Sequence, residues 1–160
     1  MQNINKLFVF GSGGAFKEIS CLIKKNNLFE IVIVLENENS VIDENLIYNT
    51  IKENIFFENY IDKEVSVGVF IGDTKSRKRI INLIRSKIKL VNFPSFNFSE
   101  YLKSVNLNEG NIIMPGCVFT EKNENIGSFN YFNFNCFVAH DVSIKSFNTF
   151  SPFTKVSGNC

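Results

Sequence analysis

Between Leu107 and Val156 a large apolar residue returns about every sixth position: Leu107, Ile113, Phe119, Ile126, Phe132, Val138, Ile144, Phe150 and Val156. Helices repeat near 3.6 residues and strands near 2, so neither produces this rhythm. A period of six, with one extra residue between Phe119 and Ile126, is the signature of a hexapeptide-repeat β-helix. The position four residues after a repeat residue holds Cys117, Asn123, Asn130, Cys136, Val142, Asn148, Thr154 and Cys160. These mostly small side chains suit a tight prism interior. Three hexads make one triangular coil, so nine repeat residues describe about three coils. Phe119, Phe132 and Phe150 are large for inward positions that usually take Ile, Leu or Val. The array ends at Cys160 without a cap, and repeat arrays need one. The expectation is therefore a repeat domain incomplete at its C-terminus.

The first half follows a different pattern. Lys6–Phe10 (KLFVF) is a buried strand that runs into Gly11-Ser12-Gly13-Gly14, and Ala15–Lys25 carries Ile19, Leu22 and Ile23 at helical spacing. Glu30–Leu35 (EIVIVL) is a second, nearly continuous apolar strand. Such strands suit a parallel sheet covered on both faces. Asn45–Ile61 reads ambiguously. Val65–Ile71 is a third strand, Ser76–Ser86 a helix with Ile80, Ile81, Leu83 and Ile84 on its buried face, and Ile88–Asn92 a last short strand. Around Pro94 the pattern changes to the period of six. The expected organisation is an α/β domain with a parallel sheet over residues 1–93 and a hexapeptide-repeat β-helix of about three coils over 94–160.

Composition excludes several classes. A net charge of +1 gives no electrostatic footprint for nucleic acid. No apolar run approaches the roughly 20 residues that span a bilayer, and no signal-peptide pattern precedes the first strand. Cys21, Cys117, Cys136 and Cys160 are widely spaced without a CxxC pair, which reads as reduced, mostly buried thiols. Together these features imply a cytoplasmic protein. Lys75, Arg77, Lys78 and Arg79 form the one basic cluster; it reads as a solvated helix start, with a phosphate contact as the alternative. No cluster of His, Cys and Asp suggests a metal site.

Two constellations carry chemistry. Gly11-x-Gly13-Gly14 lies between a strand and a helix, where glycines let backbone approach a ligand and helix amides face a phosphate. Phe16 occupies the place of the third glycine in G-x-G-x-x-G, so a plain structural turn stays open. Glu36 closes the second strand, where it could meet a ribose hydroxyl or simply be solvated. Gly72-Asp73 approaches the same carboxyl edge of the sheet, where open α/β sheets bind ligands. The second constellation is His140-Asp141, which contains the sole histidine of the chain. His140 follows the inward Val138 by two residues, so it points away from the prism, and Asp141 could orient its ring. A bare imidazole nitrogen can take a proton from an amine or hydroxyl as that group attacks an acyl carbonyl. A satisfied structural histidine is the alternative.

The segments FGSGG, VFIGDTKSRKRI, IIMPGCVF, FVAHDVSI and FNTFSPFTKVSGN, in this order, resemble the sugar O-acyltransferases of the sialic-acid O-acetyltransferase type. Bacterial UDP-amino-sugar N-acetyltransferases belong to the same group. The resemblance implies a Rossmann-like domain for a nucleotide sugar (UDP-amino sugar or sialic-acid type), a left-handed β-helix for acetyl-CoA as acyl donor, and a homotrimer with active sites between subunits. It implies His140 as general base and Asp141 as its acidic neighbour. Gly14, Ala15 and Phe16 would lie at the sugar-nucleotide loop, with Glu36, Asn37 and Gly72 lining the same pocket. Thr149 stands where relatives can carry a second histidine near the thioester. The family has further coils that complete the acetyl-CoA site. The implied activity is acetyl transfer to a sugar amine or hydroxyl near the junction of the two domains, in bacterial surface glycan biosynthesis, without a metal. The competing expectations are an inactive truncated remnant and a non-enzymatic sugar-nucleotide-binding module. A nicotinamide oxidoreductase fits worse, since Glu36 lies 25 residues past Gly11 (36 − 11) rather than about 20.

Overall fold

The computed structural model describes residues 6–35, 48–101, 105, 107–120 and 125–160. It divides into two compact units, Met1–Phe93 and Pro94–Cys160. Within the first, β1 (Lys6–Phe10), β2 (Glu30–Leu35), β3 (Asn49–Lys52), β4 (Glu64–Val69) and β5 (Leu90–Asn92) form one parallel sheet in the order β3-β2-β1-β4-β5. The chain winds outward from β1 to β3 and then returns to place β4 on the other side of β1. That reversal creates a switch point between β1 and β4, the position at whose carboxyl edge open α/β sheets bind ligands.

Strand β1 is apolar on both faces because both are covered: Leu7, Val9 and Phe10 are fully buried and Phe8 nearly so. The first helix, α1 (Gly14–Lys25), buries Phe16, Ile19 and Ile23 at helical spacing. The ambiguous stretch after β2 resolves into β3 and a short helix, α2 (Glu53–Tyr60). Phe56 of α2 sets its ring 5.0 Å from Phe8 and 5.5 Å from Phe10. Tertiary aromatic packing thus defines an element too short to announce itself by period. Helix α3 (Thr74–Lys87) starts two residues before the expected Ser76, because the Asp73 carboxylate accepts from Ser76 N at 2.7 Å and caps it.

The second unit is a stack of two-residue strands on three parallel sheets. One carries β6 (Phe96–Asn97), β7 (Ile112–Ile113), β10 (Tyr131–Phe132) and β13 (Thr149–Phe150). The next carries β8 (Val118–Phe119), β11 (Phe137–Val138) and β14 (Lys155–Val156), and the third β9 (Asn125–Ile126) and β12 (Ser143–Ile144). Tyr131 pairs with Thr149 and Phe137 with Lys155, one coil of 18 residues on. Ile112 pairs with Tyr131 and Val118 with Phe137 at 19. The coil that contains the extra residue between Phe119 and Ile126 is thus 19 residues long, and Phe119, Ile126 and Phe132 all still face the core.

Among the described residues, corners of the coil turn through single residues in the left-handed region. Gly110, Gly116, Phe129, Asn135, Asp141, Phe147, Phe153 and Asn159 all have φ between 57° and 77°. Asn and Asp tolerate this conformation, whereas Phe does so at a cost. Phe129 recovers part of that cost: it is buried and stacks on Phe147 one coil away at 5.2 Å. Inside the prism the large Phe residues fit by forming a column. Phe119 meets Phe132 edge-on at 5.0 Å, and Phe132 lies flat on Phe150 at 4.6 Å.

The small interior positions form two polar columns. Asn111 and Asn130 are buried; Asn130 N donates to Asn111 Oδ1 at 2.9 Å, and Asn148 N donates to Asn130 Oδ1 at 2.8 Å. Each amide side chain thus satisfies backbone from a neighbouring coil. The Cys117 and Cys136 thiols donate to Asn133 O (3.0 Å) and Ser151 O (3.3 Å). Asn123 lies outside the described residues. Cys160, expected inside, is exposed, as is Cys21.

Candidate active site

On the α/β unit the candidate loops follow β1 and β4. Gly14 is the first residue of α1, Ala15 follows it, and no side chain caps this helix. Its leading amides stand at the carboxyl edge, suited to an anion. Helix α3 offers no equivalent site, since Asp73 already occupies its first-turn amide. That bond from Ser76 holds the Asp73 carboxyl below the usual carboxylate range, and this exposed carboxylate would repel a second anion.

Phe16 departs from its expected role. It is fully buried and meets Tyr48 edge-on at 5.5 Å, so its side chain belongs to the core. Helical geometry explains this, because residue 16 shares the inward face with Ile19 and Ile23. Only its backbone remains at the loop. Glu36 and Asn37 lie outside the described residues.

Gly72 follows β4 in a segment pressed against the glycine loop. A Cβ on Gly11 would stand 2.8 Å from Phe70 O and Ile71 Cγ1, and Gly11 has φ 103°, so both space and backbone require glycine there. Arg77 holds this segment from behind. Expected as part of a solvated helix start, it is instead 2% exposed, and its Nη1 donates to Ile71 O at 2.7 Å and Gly72 O at 3.0 Å. The run of neighbouring cations hid that role in the sequence. The clearest surface hollows of the sheet lie at its opposite, amino edge, one beside Lys24, Glu30 and Asn49 and the other beside Lys6, Tyr60 and Glu64. They are far from the switch-point loops, and the chemistry of the glycine loop outweighs their shape.

On the repeat unit His140 and Asp141 form the corner between β11 and β12. His140 Nδ1 lies 2.7 Å from Asp141 Oδ2, with both side chains more than half exposed (58% and 54%). A carboxylate only accepts, so in the neutral ring this contact puts the proton on Nδ1 and the lone pair on Nε2. Gly158, which sequence reasoning passed over, sits one coil on: a Cβ there would be 3.0 Å from Nε2. The 18-residue coil period (158 − 140) was the signal that could have found it. Asn159 N donates to His140 O at 3.2 Å and ties the two corners together.

Thr149 opens β13 on another of the three faces, paired with Tyr131. Cys117 and Cys136 make poor nucleophiles, because burial pushes the Cys117 thiol up to about 12 and raises that of Cys136. Among the described residues no group of three or more His, Cys, Asp and Glu could hold a metal, and no helix is long and apolar enough to cross a membrane.

Fold and corner together define a class: a parallel α/β unit with a glycine loop at its switch point, followed by a three-sided coil that displays a His–Asp pair. Residues 6–84 match the family described as the PglD N-terminal domain. Solved structures share the fold across both units. The acetyltransferase domain of PglB from Neisseria gonorrhoeae FA1090, in complex with acetyl coenzyme A, is 19% identical with a TM-score of 0.77, covering 98% of this chain and 75% of that one. A histidine-to-asparagine mutant of perosamine N-acetyltransferase from Caulobacter crescentus, in complex with CoA and GDP-perosamine, is 17% identical with a TM-score of 0.78, covering 98% and 73%. WeeI from Acinetobacter baumannii AYE is 23% identical with a TM-score of 0.77, covering 96% and 72%. No curated protein matches the chain.

Proposed function

We propose that this chain is a sugar acetyltransferase that moves an acetyl group from acetyl-CoA to an amine or hydroxyl of a nucleotide-linked sugar. The observation that carries the reading is the His140–Asp141 contact, displayed at a coil corner of a chain that shares the fold of acetyltransferase structures. In this reading the repeat unit is a left-handed β-helix that serves a homotrimer, and the α/β unit grips the nucleotide sugar. The uncapped start of α1 faces the diphosphate through the amides of Gly14 and Ala15, and Gly72 and the segment around Glu36 and Asn37 line the remainder of the pocket. Thr149 offers a hydroxyl toward the acyl donor.

His140 Nε2 removes the proton from the attacking amine or hydroxyl, while Asp141 fixes the ring through Nδ1 and stabilises the imidazolium that forms. The nucleophile adds to the thioester carbonyl, the carbon–sulfur bond then breaks, and coenzyme A leaves as the thiol with the proton returned from His140. The PglD match over residues 6–84 and the acetyl-CoA and GDP-perosamine held by the solved relatives support this assignment of donor and acceptor class. The context would be bacterial surface glycan synthesis.

The test is acetyl transfer to UDP- and GDP-linked amino sugars, followed by thiol release, with calorimetric titration of each substrate alone. His140→Ala should lower kcat by about 100-fold or more while leaving nucleotide-sugar affinity unchanged. Wild-type rates in a folded His140→Ala protein would sink the reading.

A further inference from the structure

Gly158 is singled out by what a side chain there would meet. Its Cβ would stand 3.0 Å from His140 Nε2, 3.1 Å from Cε1 of the same ring and 3.1 Å from the His140 carbonyl oxygen. Separations this short require the neighbour to move, and the carbonyl is held by Asn159 N at 3.2 Å. The backbone gives no other reason for a glycine. Gly158 lies outside the left-handed region, unlike Gly110 and Gly116, which turn corners. What the site demands at residue 158 is therefore an absence of side chain directly over the imidazole.

The consequence concerns one nitrogen. Nδ1 is committed to Asp141 at 2.7 Å, so the lone pair of the neutral ring is on Nε2, the atom nearest the missing side chain. We infer that Gly158 is a positioning residue: its bare backbone forms a slot, one coil beyond His140, that keeps the approach to Nε2 open while the ring stays on Asp141. A methyl group at 158 leaves two outcomes. Either the ring holds its place and Nε2 is covered, or the ring swings aside and the contact with Asp141 breaks. Both disable the same base. The importance of the slot to acetyl transfer rests on the proposed function; the slot itself does not.

Because His140 is the sole histidine, two spectroscopic readouts report on it without reference to any enzymatic activity. One is carbethoxylation by diethylpyrocarbonate, followed at 240 nm, which measures access to the bare ring nitrogen. The other is the nitrogen-15 spectrum of the single imidazole, which reports whether Nδ1 keeps its proton. In Gly158→Ala, either carbethoxylation slows about 10-fold with the tautomer retained, or the Nδ1-protonated signature is lost. Ser157→Ala, in the same segment, should change neither. If transfer is measurable, Gly158→Ala should lower kcat by about 100-fold, the scale of a displaced catalytic group, with KM for the nucleotide sugar unchanged. Unchanged carbethoxylation and an unchanged tautomer in Gly158→Ala would overturn the inference. So would a fall of more than about 10 °C in melting temperature, since Gly158 would then be a packing requirement of the coil. The spectroscopic differences in Gly158→Ala, together with a wild-type protein that transfers no acetyl group, would leave the slot standing and remove the transferase reading instead.

Discussion

Asp141 holds His140 Nδ1 at 2.7 Å from a position whose own φ is 57°, so one residue both turns the coil and orients the ring. The same left-handed requirement recurs at Asn135 and Asn159. Coil geometry, rather than the carboxylate alone, decides which residues the corner accepts. Asp141→Asn keeps a short polar side chain suited to this conformation and removes the charge, whereas Asp141→Ala removes both the charge and the conformational tolerance. Asp141→Asn is expected to lower kcat at least about 10-fold with little change in melting temperature. Asp141→Ala should add a stability loss of about 1 kcal/mol. Equal stability of the two variants in urea titration would refute the conformational half of this account, and a wild-type kcat in Asp141→Asn the electrostatic half.

Arg77 connects the interior of the α/β unit to its candidate binding edge. Arg77→Met removes the donor shared by Ile71 O and Gly72 O and should destabilise the protein by about 2 kcal/mol. With the segment behind Gly11 loosened, KM for the nucleotide sugar should rise while kcat at saturation holds. Arg77→Lys keeps the charge and one donor group and should fall between the two. Steady-state kinetics beside thermal melts check this, and a kcat effect without a KM effect would contradict it.

The asparagine column is the weak point of the repeat unit to substitution. Asn130→Leu is close in volume but strands the Asn148 N–H that Oδ1 accepts, and leaves the Gly127 carbonyl with Asn111 Nδ2 as its remaining side-chain donor. Burial of an unsatisfied backbone group costs about 1–3 kcal/mol, so a loss of about 2 kcal/mol is expected. Chemical denaturation measures it directly. A stabilised Asn130→Leu variant would mean that the column contributes packing and not hydrogen bonding.

The cysteines should separate by burial. Cys21 and Cys160 are exposed and should alkylate in the native protein at pH 8, while Cys117 and Cys136 should react only after unfolding. Burial raises the Cys117 thiol from its ordinary 9.0 to about 12. The folded state therefore binds that proton more tightly than the unfolded chain does. The associated stability is fully present below pH 9 and is lost as pH rises toward 12. Mass spectrometry after brief iodoacetamide exposure tests the first statement. A Cys117→Ser comparison of alkaline melting tests the second, and an identical alkaline decline in both proteins would refute it.

Much of the architecture was legible because it rests on period. KLFVF and EIVIVL coincide with β1 and β2, and each inward residue from Ile113 to Val138 lies in the prism core. What period could not reveal was identity without pattern. Strand β3 and helix α2 were unreadable because four and eight residues give too few turns of either repeat; pairing with β2 fixes β3 and the Phe8–Phe56 contact fixes α2. Arg77 read as one of four surface cations, yet its helical position turns it inward to two carbonyls. Phe16 read as a loop residue, yet it completes the buried face of α1.

The amino-acid sequence by itself determined the two architectures, the change between them near Pro94 and the placing of His140 outside the prism, because alternation and hexad spacing are local properties of the chain. The tertiary structure alone decided which distant residues meet. Stacking of coils brings Gly158 over His140 and Asn148 onto Asn130, and the return of β4 beside β1 presses Ile71 against Gly11. Such pairs depend on the rise and register of folded strands, which no local pattern encodes. The candidate site is built from them: a His–Asp pair written in two adjacent letters, with a glycine from one full coil away against its ring.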